Sequence, residues 1–504
     1  MANDTILVVR SKPGVKRDGT EFDGDYYIDS QWCRWQRGLP RKIGGCTAVI
    51  SNLSELVYGV TSYSANALFY YHLGSESKLT QVRVGPTGVL AGSSDRTPAA
   101  LTPSANNVWQ FDVQFDFTGG SLNFLFAHPG QNLGAIDSTE ETPIFYGEVT
   151  AATPLADELG DPQSGGVVVL APYILTYGNA GRVDMYKDPT MSAVNSANVT
   201  GLKIVKGLPL RGTGAGPAGI FWSLDSVLRA TFTSETSGYF AFDTLSSSSS
   251  VLSSRGIIEY DGIYYWAGVD RFLMFNGVVQ ELRNDLNVNW FFDNLNFAQR
   301  QKVFAFTVPR FGEIWWCYPR GSATECTHAI IYNVREKTWY DTQLLGAGRS
   351  DGIMPKSYNK PFTLGVEIVG TGYALWQMET GMDQVVAAVP NPIRSWFETA
   401  DFTWLIGDKP LNRSISISYL EPDFVQIGDM VLQVTGRINA RAPDIQSNQF
   451  SITEVASGGD EQVVPLKEVR RLMRFRFESN TVGGDYQMGQ ILAHVAPNDG
   501  RMVT

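Results

Sequence analysis

The sequence predicts an all-β protein: a β-propeller of about six or seven blades, the last of them incomplete, followed by a C-terminal antiparallel β-sandwich. Aromatic residues make up 12% of the 504 residues, and 50 Gly and 24 Pro accompany only 18% charged residues, a composition typical of turn-dense β structure. Long stretches with helical periodicity are nearly absent. Strand-sized apolar runs instead recur in units of about 40 to 50 residues, the length of a propeller blade.

The clearest unit spans residues 255–282 and predicts a four-stranded meander. Its two hairpin turns, Asp261-Gly262 and Asn276-Gly277, separate apolar runs, and Asp-Gly or Asn-Gly in that position is a strong hairpin signal. A short helix should follow, because Val288, Phe291, Phe292 and Leu295 share one helical face. Asn284-Asp285 is the predicted cap of that helix.

Other units precede and follow it along the chain. Candidate blades span Leu56–Val84, Val108–Gly147, Val167–Tyr186, Gly219–Phe242 and Lys302–Trp339, with a partial one at Phe362–Val366 and Tyr373–Trp376. A closed ring of such sheets removes the exposed edges that so much β structure would otherwise present.

Three regions are predicted: an N-terminal arm with edge strands over 1–50, the propeller over 51–389, and the sandwich-like domain over 390–504. The spacing of runs changes after Pro390-Asn-Pro392, where the strands of the last domain begin. The arm is either a solvated edge or a contact for a neighbouring subunit. Trp32 and Trp35 favour the contact, since tryptophan is enriched at interfaces.

Composition also bears on location and partners. The longest apolar run, Val167–Leu175, is interrupted by Pro172 and is too short to span a bilayer, and the N-terminus lacks a signal-peptide pattern. We therefore expect a protein made and kept in a cytosol, with no membrane insertion of its own.

The net charge of −11 argues against nucleic acid held on a basic face. The four cysteines are expected to be reduced, buried thiols.

Two strings resemble enzyme motifs, and we interpret both as structural. Gly214–Gly219 spells G-x-G-x-x-G, but Pro209 precedes it and strand-like Ile220-Phe-Trp222 follows, where a dinucleotide site needs a helix. Gly348–Gly352 spells G-x-S-x-G around Ser350, yet Asp351-Gly352 and Pro355 oppose the helix that a nucleophile elbow requires.

Metal and catalytic signatures are weak. Cys326 and His328 lie two apart on a predicted strand beside Cys317, but a fourth zinc ligand is lacking. His72, His128 and His494 are isolated, and neither Asp-box nor Trp-Asp repeats occur. We predict no catalytic residue, no metal ligand, no cofactor and no enzymatic activity.

A set of segments in a common order resembles the tail nozzle, or tail hub, proteins of short-tailed bacteriophages, also called packaged-DNA stabilisation proteins. The segments are Pro13–Thr20, Gln31–Gly38, Lys42–Gly45, Gln301–Asn333 with Trp339, Trp376–Gly381, Trp396–Thr399, Arg474–Phe477, Gly489 and Pro497–Arg501. They spread over most of the chain, and each is a loose framework pattern.

The resemblance implies a virion tail protein, assembled in the host bacterial cytoplasm as a homohexameric ring below portal and adaptor. It implies tail fibre, tailspike or needle proteins as further partners. DNA would be retained and then passed without tight binding, with the loops Ala151–Gly166 and Thr244–Ser254 as gate candidates. The alternative is a carbohydrate-binding or carbohydrate-cleaving propeller acting in receptor recognition. Exposed Trp and Tyr near carboxylates would favour that alternative, and aromatic residues buried between blades or subunits would favour the tail protein.

Overall fold

The structure, a computed structural model, is all-β, with 59% of residues in strands and 5% in helices. It describes residues 5–20, 25–65, 67–98, 101, 103–104, 107–114, 124–130, 145–147, 153–154, 165–178, 181–188, 191–211, 216–366, 372–403, 405–406, 409–410, 413–439, 441–454 and 463–498. None of these residues belongs to a helix long and apolar enough to cross a bilayer.

Six four-stranded sheets follow one another along the chain, and in each of them consecutive strands pair antiparallel. We number them sheets 1 to 6. Their strands are Val57–Ala65, Leu68–Ser75, Leu79–Val84 and Leu90–Asp95 (sheet 1); Gln110–Gln114, Phe124–His128, Phe145–Gly147 and Thr153–Pro154 (sheet 2); Gly166–Leu170, Tyr173–Tyr177, Arg182–Tyr186 and Asn195–Asn198 (sheet 3); Ile204–Pro209, Ala218–Ser223, Val227–Phe232 and Phe240–Ser246 (sheet 4); Ile257–Tyr260, Ile263–Ala267, Phe272–Phe275 and Val279–Glu281 (sheet 5); Phe304–Val308, Glu313–Tyr318, His328–Asn333 and Thr338–Gln343 (sheet 6).

Sheet 7 combines strands from both ends of this region. Its order is Arg349–Ile353, Phe362–Val366, Tyr373–Met378, Cys46–Leu53, Asp383–Val386 and Val389–Pro392. The strand Cys46–Leu53 therefore comes from the N-terminal side of sheet 1 and pairs antiparallel with Tyr373–Met378. The seventh unit is more complete than the sequence predicted, because its strand Cys46–Leu53 lies more than 300 residues before its partner Tyr373–Met378 in the chain.

Neighbouring sheets share apolar clusters, and these contacts return to their starting point. Sheet 1 meets sheet 2 around Trp109, and sheets 2 and 3 meet around Phe126. Further contacts join sheets 3 and 4, 4 and 5, 5 and 6, and 6 and 7. Sheet 7 then packs on sheet 1, where the ring centroids of Phe362 and Tyr71 are 4.6 Å apart. The seven sheets thus form a closed cycle of contacts.

Two larger sheets contain the C-terminal strands together with N-terminal ones. Sheet 8 runs Val464–Arg470, Ser414–Ile427, Asp485–Asn498, Leu39–Lys42 and Cys33–Gln36, and Thr5–Val9 also pairs with Asp485–Asn498. Sheet 9 runs Asp29–Gln31, Ser395–Glu398, Leu472–Ser479, Met430–Arg437 and Ile445–Ile452. Buried side chains of both sheets, such as Ile417 and Leu432, belong to one apolar cluster that extends to sheets 6 and 7. Two small ladders join Lys12–Val15 to Tyr26–Tyr27 and Leu405–Ile406 to Lys409–Pro410.

The predicted helix is present as Val288–Asn294, but its predicted cap is wrong. The two carboxylate oxygens of Asp18 accept hydrogen bonds from the backbone N–H groups of Trp290 and Asn289, both at 2.8 Å. Asn284 accepts N–H bonds just before the helix instead. Three 3₁₀ segments lie elsewhere in the described part of the chain: Glu235–Ser237, Ser254–Gly256 and Phe297–Lys302.

The second half of the gate candidate Thr244–Ser254 packs into the fold. Ser249, Val251, Leu252 and Ser253 are all buried, with exposed fractions of 5% or less. Leu252 also donates its N–H to the carbonyl of Ala267 at 2.9 Å. A segment held in this way does not suit a loop that swings into a channel. Most of the other gate candidate, Ala151–Gly166, lies outside the described residues.

Candidate functional site

Residues 12–20 and 25–45 contact sheets 6 and 7 and contribute strands to sheets 8 and 9, and we call this region the junction. Its strands Leu39–Lys42 and Cys33–Gln36 belong to sheet 8, whereas Asp29–Gln31 belongs to sheet 9. Trp32 and Trp35 are buried here, at 2% and 1% exposure. They are therefore not available for a neighbouring subunit, and the argument that they mark a subunit contact is wrong.

Arg34 is the centre of the junction. Its guanidinium makes a two-bond contact with Glu313 of sheet 6, at 2.8 and 3.1 Å, and a second one with Glu379, at 3.0 and 2.6 Å. Burial would lower the pKa of Arg34, but the two carboxylates outweigh burial and raise it above its usual range. Arg34 therefore joins three segments that are distant in sequence.

Neighbouring side chains donate further hydrogen bonds to Glu313. Tyr340 donates its hydroxyl to this carboxylate at 2.6 Å and Trp315 donates its indole N–H at 2.9 Å. The ring of Phe311 lies 3.7 Å from the Arg34 guanidinium carbon. Burial, followed by Glu313, raises the pKa of Tyr340 well above its ordinary value. Hydrogen bonds of this kind compensate for taking the charges out of water.

A second arginine fixes the start of the junction. Arg17 makes two hydrogen bonds to Asp341, at 3.0 and 3.1 Å, and an ion pair with Asp29 at 2.7 Å. The neighbouring Gly14 has φ +101°, and a Cβ on it would lie 2.3 Å from the Thr338 hydroxyl oxygen. Only glycine accommodates this close backbone approach.

The other end of the junction meets the C-terminal turn. Lys42 donates to the carbonyl of Gly484 at 2.6 Å, and burial lowers the pKa of Lys42 to about 8 against the opposing effect of Asp383 and Asp485. Asp383 of sheet 7 accepts the N–H of Gly483 at 2.8 Å. The junction thus connects sheet 7 directly with the turn before strand Asp485–Asn498.

A separate cluster of charges lies where the first strands of the seven sheets approach one another. Most neighbouring pairs of these strands contact each other, including the first strands of sheets 7 and 1. The cluster contains Asp112, Lys206, Arg255 and Asp351, and we call it the axial cluster. Arg255 donates to the carbonyl of Ser350 at 2.7 Å and lies 3.7 Å from the Asp351 carboxylate.

Burial controls the protonation of the axial cluster. It raises the pKa of Asp351 to about 6, although Arg255 opposes this, and it raises the pKa of Asp112 against hydrogen bonds from Val169 and Val113. Burial also lowers the pKa of Lys206, against the attraction of Asp112 and Asp351. The cluster contains two acidic and two basic side chains, so their formal charges compensate one another.

The enzyme-like strings have structural positions. Part of Gly214–Gly219 lies outside the described residues, and the strand Ala218–Ser223 follows it in place of a helix. Ser350 lies within the strand Arg349–Ile353, is 1% exposed, and has a hydroxyl with no hydrogen-bond partner among the described residues. Neither string has the strand-turn-helix geometry of the motif that it spells.

The cysteines and histidines are engaged in packing. All four cysteines are buried and unpaired, and burial raises the pKa of Cys33 to about 12 and that of Cys46 to about 11. Cys326 donates to the carbonyl of Lys302, while His328 contacts Thr327 and Arg320. Within the described part of the chain, no group of three potential ligands could hold a metal ion.

Three of the histidines have their own local partners. His72 lies 3.1 Å from the Gln81 amide, His128 accepts the N–H of Gly130, and His494 lies 2.8 Å from Glu421. Burial lowers the pKa of His72 to about 3 and, more than the charge of Arg320, lowers that of His328 to about 4. The low pKa values of His72 and His328 keep these two side chains neutral at pH 7.

Sequence reasoning did not single out Arg34, Glu313 or the axial cluster. The sequence feature that could have indicated them is a single charged residue beside apolar ones. Glu313 directly precedes Ile-Trp-Trp-Cys-Tyr, and Arg34 lies between Cys33 and Trp35. A buried charge in such a run needs a partner. The partner itself lies hundreds of residues away and cannot be chosen from spacing.

Comparison with known proteins leaves the family open. No family model matches the sequence, and no curated protein matches it. A solved structure of U3-55K is similar over 66% of this chain and 98% of that chain, with a TM-score of 0.40 and 7% sequence identity. A likeness at that score carries no argument about fold or function.

Proposed function

We propose that this chain is a structural protein of a short phage tail, a subunit of the nozzle or hub ring. Its fold would be a seven-bladed β-propeller joined to a C-terminal β-sandwich. The closed cycle of contacts among seven sheets supports the propeller, as does the strand Cys46–Leu53, which joins the last sheet to the chain before the first.

The observation that carries the functional proposal is the convergence of the nozzle-like segments at the junction. Arg34 of Gln31–Gly38 bonds to Glu313 of Gln301–Asn333 and to Glu379 of Trp376–Gly381. The segment Pro13–Thr20 caps the helix and pairs with Asp341, and Trp396–Thr399 pairs with Arg474–Phe477. A family framework should form one connected structure, whereas chance matches would be scattered over the molecule.

The burial of aromatic side chains favours this proposal over a carbohydrate-binding or carbohydrate-cleaving propeller. Every Trp and Tyr whose side chain the structure describes is buried or half-buried. Trp222 and Trp266 pack edge to face between sheets 4 and 5, with ring centroids 5.7 Å apart. Sugar sites commonly offer an exposed Trp or Tyr ring, and none of the described Trp and Tyr side chains is exposed.

In this proposal, DNA passes between subunits and not through any single propeller. Two oppositely charged members of the axial cluster, Arg255 and Asp351, are buried where the first strands of the sheets approach one another. A duplex would therefore run along the axis of the assembled ring, below portal and adaptor and above the tail fibre, tailspike or needle proteins. A hexamer with a net charge of −11 on each chain would keep the duplex from adhering.

The assembly state tests this proposal. Purified chain should form closed rings, alone or with the phage's adaptor and portal, visible by negative-stain electron microscopy. Light scattering should give the mass of a hexamer of the 55.5 kDa chain. A monomer at every concentration, with and without those components, would contradict the nozzle proposal.

A further inference from the structure

The strand Ile445–Ile452 forms one edge of sheet 9. It pairs with Met430–Arg437 on its inner side, and no described strand pairs with its outer side. Its eight residues, Ile-Gln-Ser-Asn-Gln-Phe-Ser-Ile, contain no charge and no proline. Backbone N–H and C=O groups on such an edge can pair with another extended chain.

Several other edge strands among the described residues carry features that discourage pairing. The strand Val464–Arg470 contains Pro465 and three charged residues, and Lys467 has φ 63°. The strand Val389–Pro392 contains two prolines, and Leu90–Asp95 has a bulge beside Val84. The N-terminal strand Lys12–Val15 packs against Thr338–Gln343. The strand Ile445–Ile452 is long and lacks these protections.

The core is also incompletely covered at this edge. Phe450 pairs opposite Leu432 and packs on the apolar core, but it is only half-buried. Ile452, opposite Met430, is on the same side of the sheet. An added strand with apolar residues at these two positions would cover Phe450, while its alternate residues would face solvent.

We propose that this edge is a docking site for an extended segment of a different protein, added to sheet 9 as a further strand. The segment would be uncharged along the contact, free of proline and apolar at alternate positions. Main-chain hydrogen bonds would supply affinity, and the positions beside Phe450 and Ile452 would supply specificity.

A second copy of this chain fits the edge less well. Residues directly opposite in an antiparallel pair share a face of the sheet. A two-fold register that set Phe450 opposite itself would pair only residues 448–452. Two-fold pairing that overlaps nearly the whole strand would put Phe450 opposite Gln446 or Asn448. The apolar end of each strand would meet the polar end of the other, and the core would gain no apolar cover.

A peptide with the sequence of the strand's own neighbour, Met-Val-Leu-Gln-Val-Thr-Gly-Arg, is a suitable probe. It alternates in the required way, because Met430 and Leu432 face Ile452 and Phe450 in the fold. Fluorescence anisotropy of the labelled peptide, titrated with full-length protein, should show saturable binding. Hydrogen exchange should slow at residues 445–452 when the peptide binds.

Lysine on the exposed face of the edge should block this binding. We expect the double variant Gln449→Lys/Ser451→Lys to bind the peptide about tenfold more weakly, since edge lysines oppose strand addition. The matched control Val469→Lys, on the protected edge of sheet 8, should bind like the unaltered protein. Circular dichroism verifies folding of both variants.

Three results would overturn the proposal. One is equal binding by the double variant, and another is protection confined to other segments. The third is no saturable binding by the unaltered protein. Self-association that the double variant abolishes would instead identify a second copy as the occupant and would contradict the choice of a different protein.

Discussion

Arg34 and Glu313 form a two-bond ion pair across the junction although they are 279 residues apart in sequence. The side chains of both are almost completely buried, at 1% and 0% exposure. Because the pair joins sheet 8 to sheet 6, it connects the C-terminal sheets with the seven-sheet cycle. Contacts of Arg17 and Asp383 join the two parts as well.

Removing the arginine should leave buried carboxylates without a counter-charge. We expect Arg34→Met to lower the free energy of unfolding by about 3–5 kcal/mol, measured by chemical denaturation. The control Arg394→Met removes the exposed partner of Glu478 and should cost less than about 1 kcal/mol. Equal losses of unfolding free energy in the two variants would show that the buried Arg34 contact stabilises the protein no more than the exposed Arg394 contact does.

Asp18→Ala should destabilise the helix Val288–Asn294 by removing the acceptor for two backbone N–H groups. The expected cost is about 0.5–2 kcal/mol in denaturation measurements, the usual range for losing a cap. Asp285→Ala is the control, because Asp285 is exposed and pairs only with Arg283 among the described contacts. A greater loss of unfolding free energy from Asp285→Ala would instead support the cap at Asn284-Asp285 that the sequence predicted.

Asp351 should make stability fall as pH rises between about 4 and 6. Because burial raises its pKa to about 6, the folded chain keeps a proton that the unfolded chain releases near pH 4. Above that pH window, Asp351 is ionised in a buried position of the native state, which is unfavourable. Relative to Asp351→Asn, the unaltered protein should lose on the order of 1–3 kcal/mol between pH 4 and 7. A difference that is constant over this range would mean that Asp351 ionises normally.

The assembled ring should bind duplex DNA negligibly at about 0.15 M salt, where charges are screened beyond roughly 8 Å. The chain has 51 acidic and 40 basic residues, and its axial cations are paired with carboxylates. Filter binding or anisotropy with a labelled duplex measures this directly. Tight and strongly salt-dependent binding would indicate a basic channel and would exclude a passive conduit.

Local chemistry made much of the strand pattern predictable. Asp261 and Gly262 adopt φ 51° and 78°, as expected for the hairpin turn that their sequence indicated. The strand Ile204–Pro209 was missed, because Lys206, Gly207 and Pro209 interrupt its apolar character. Its neighbours in sheet 4 supply the burial that its own composition does not indicate.

The order of residues and the alternation of apolar and polar positions were thus sufficient to predict the all-β class and most hairpins. Turn geometry and strand periodicity are determined within a few residues. Three features could not be predicted in this way, because they depend on the path of the whole chain: the partners of Arg34, the cap at Asp18 and the strand Cys46–Leu53 of sheet 7. A buried charge or an unpaired backbone group requires a partner but does not specify where that partner lies in the sequence. Only the packing of the sheets brings such groups within hydrogen-bonding distance.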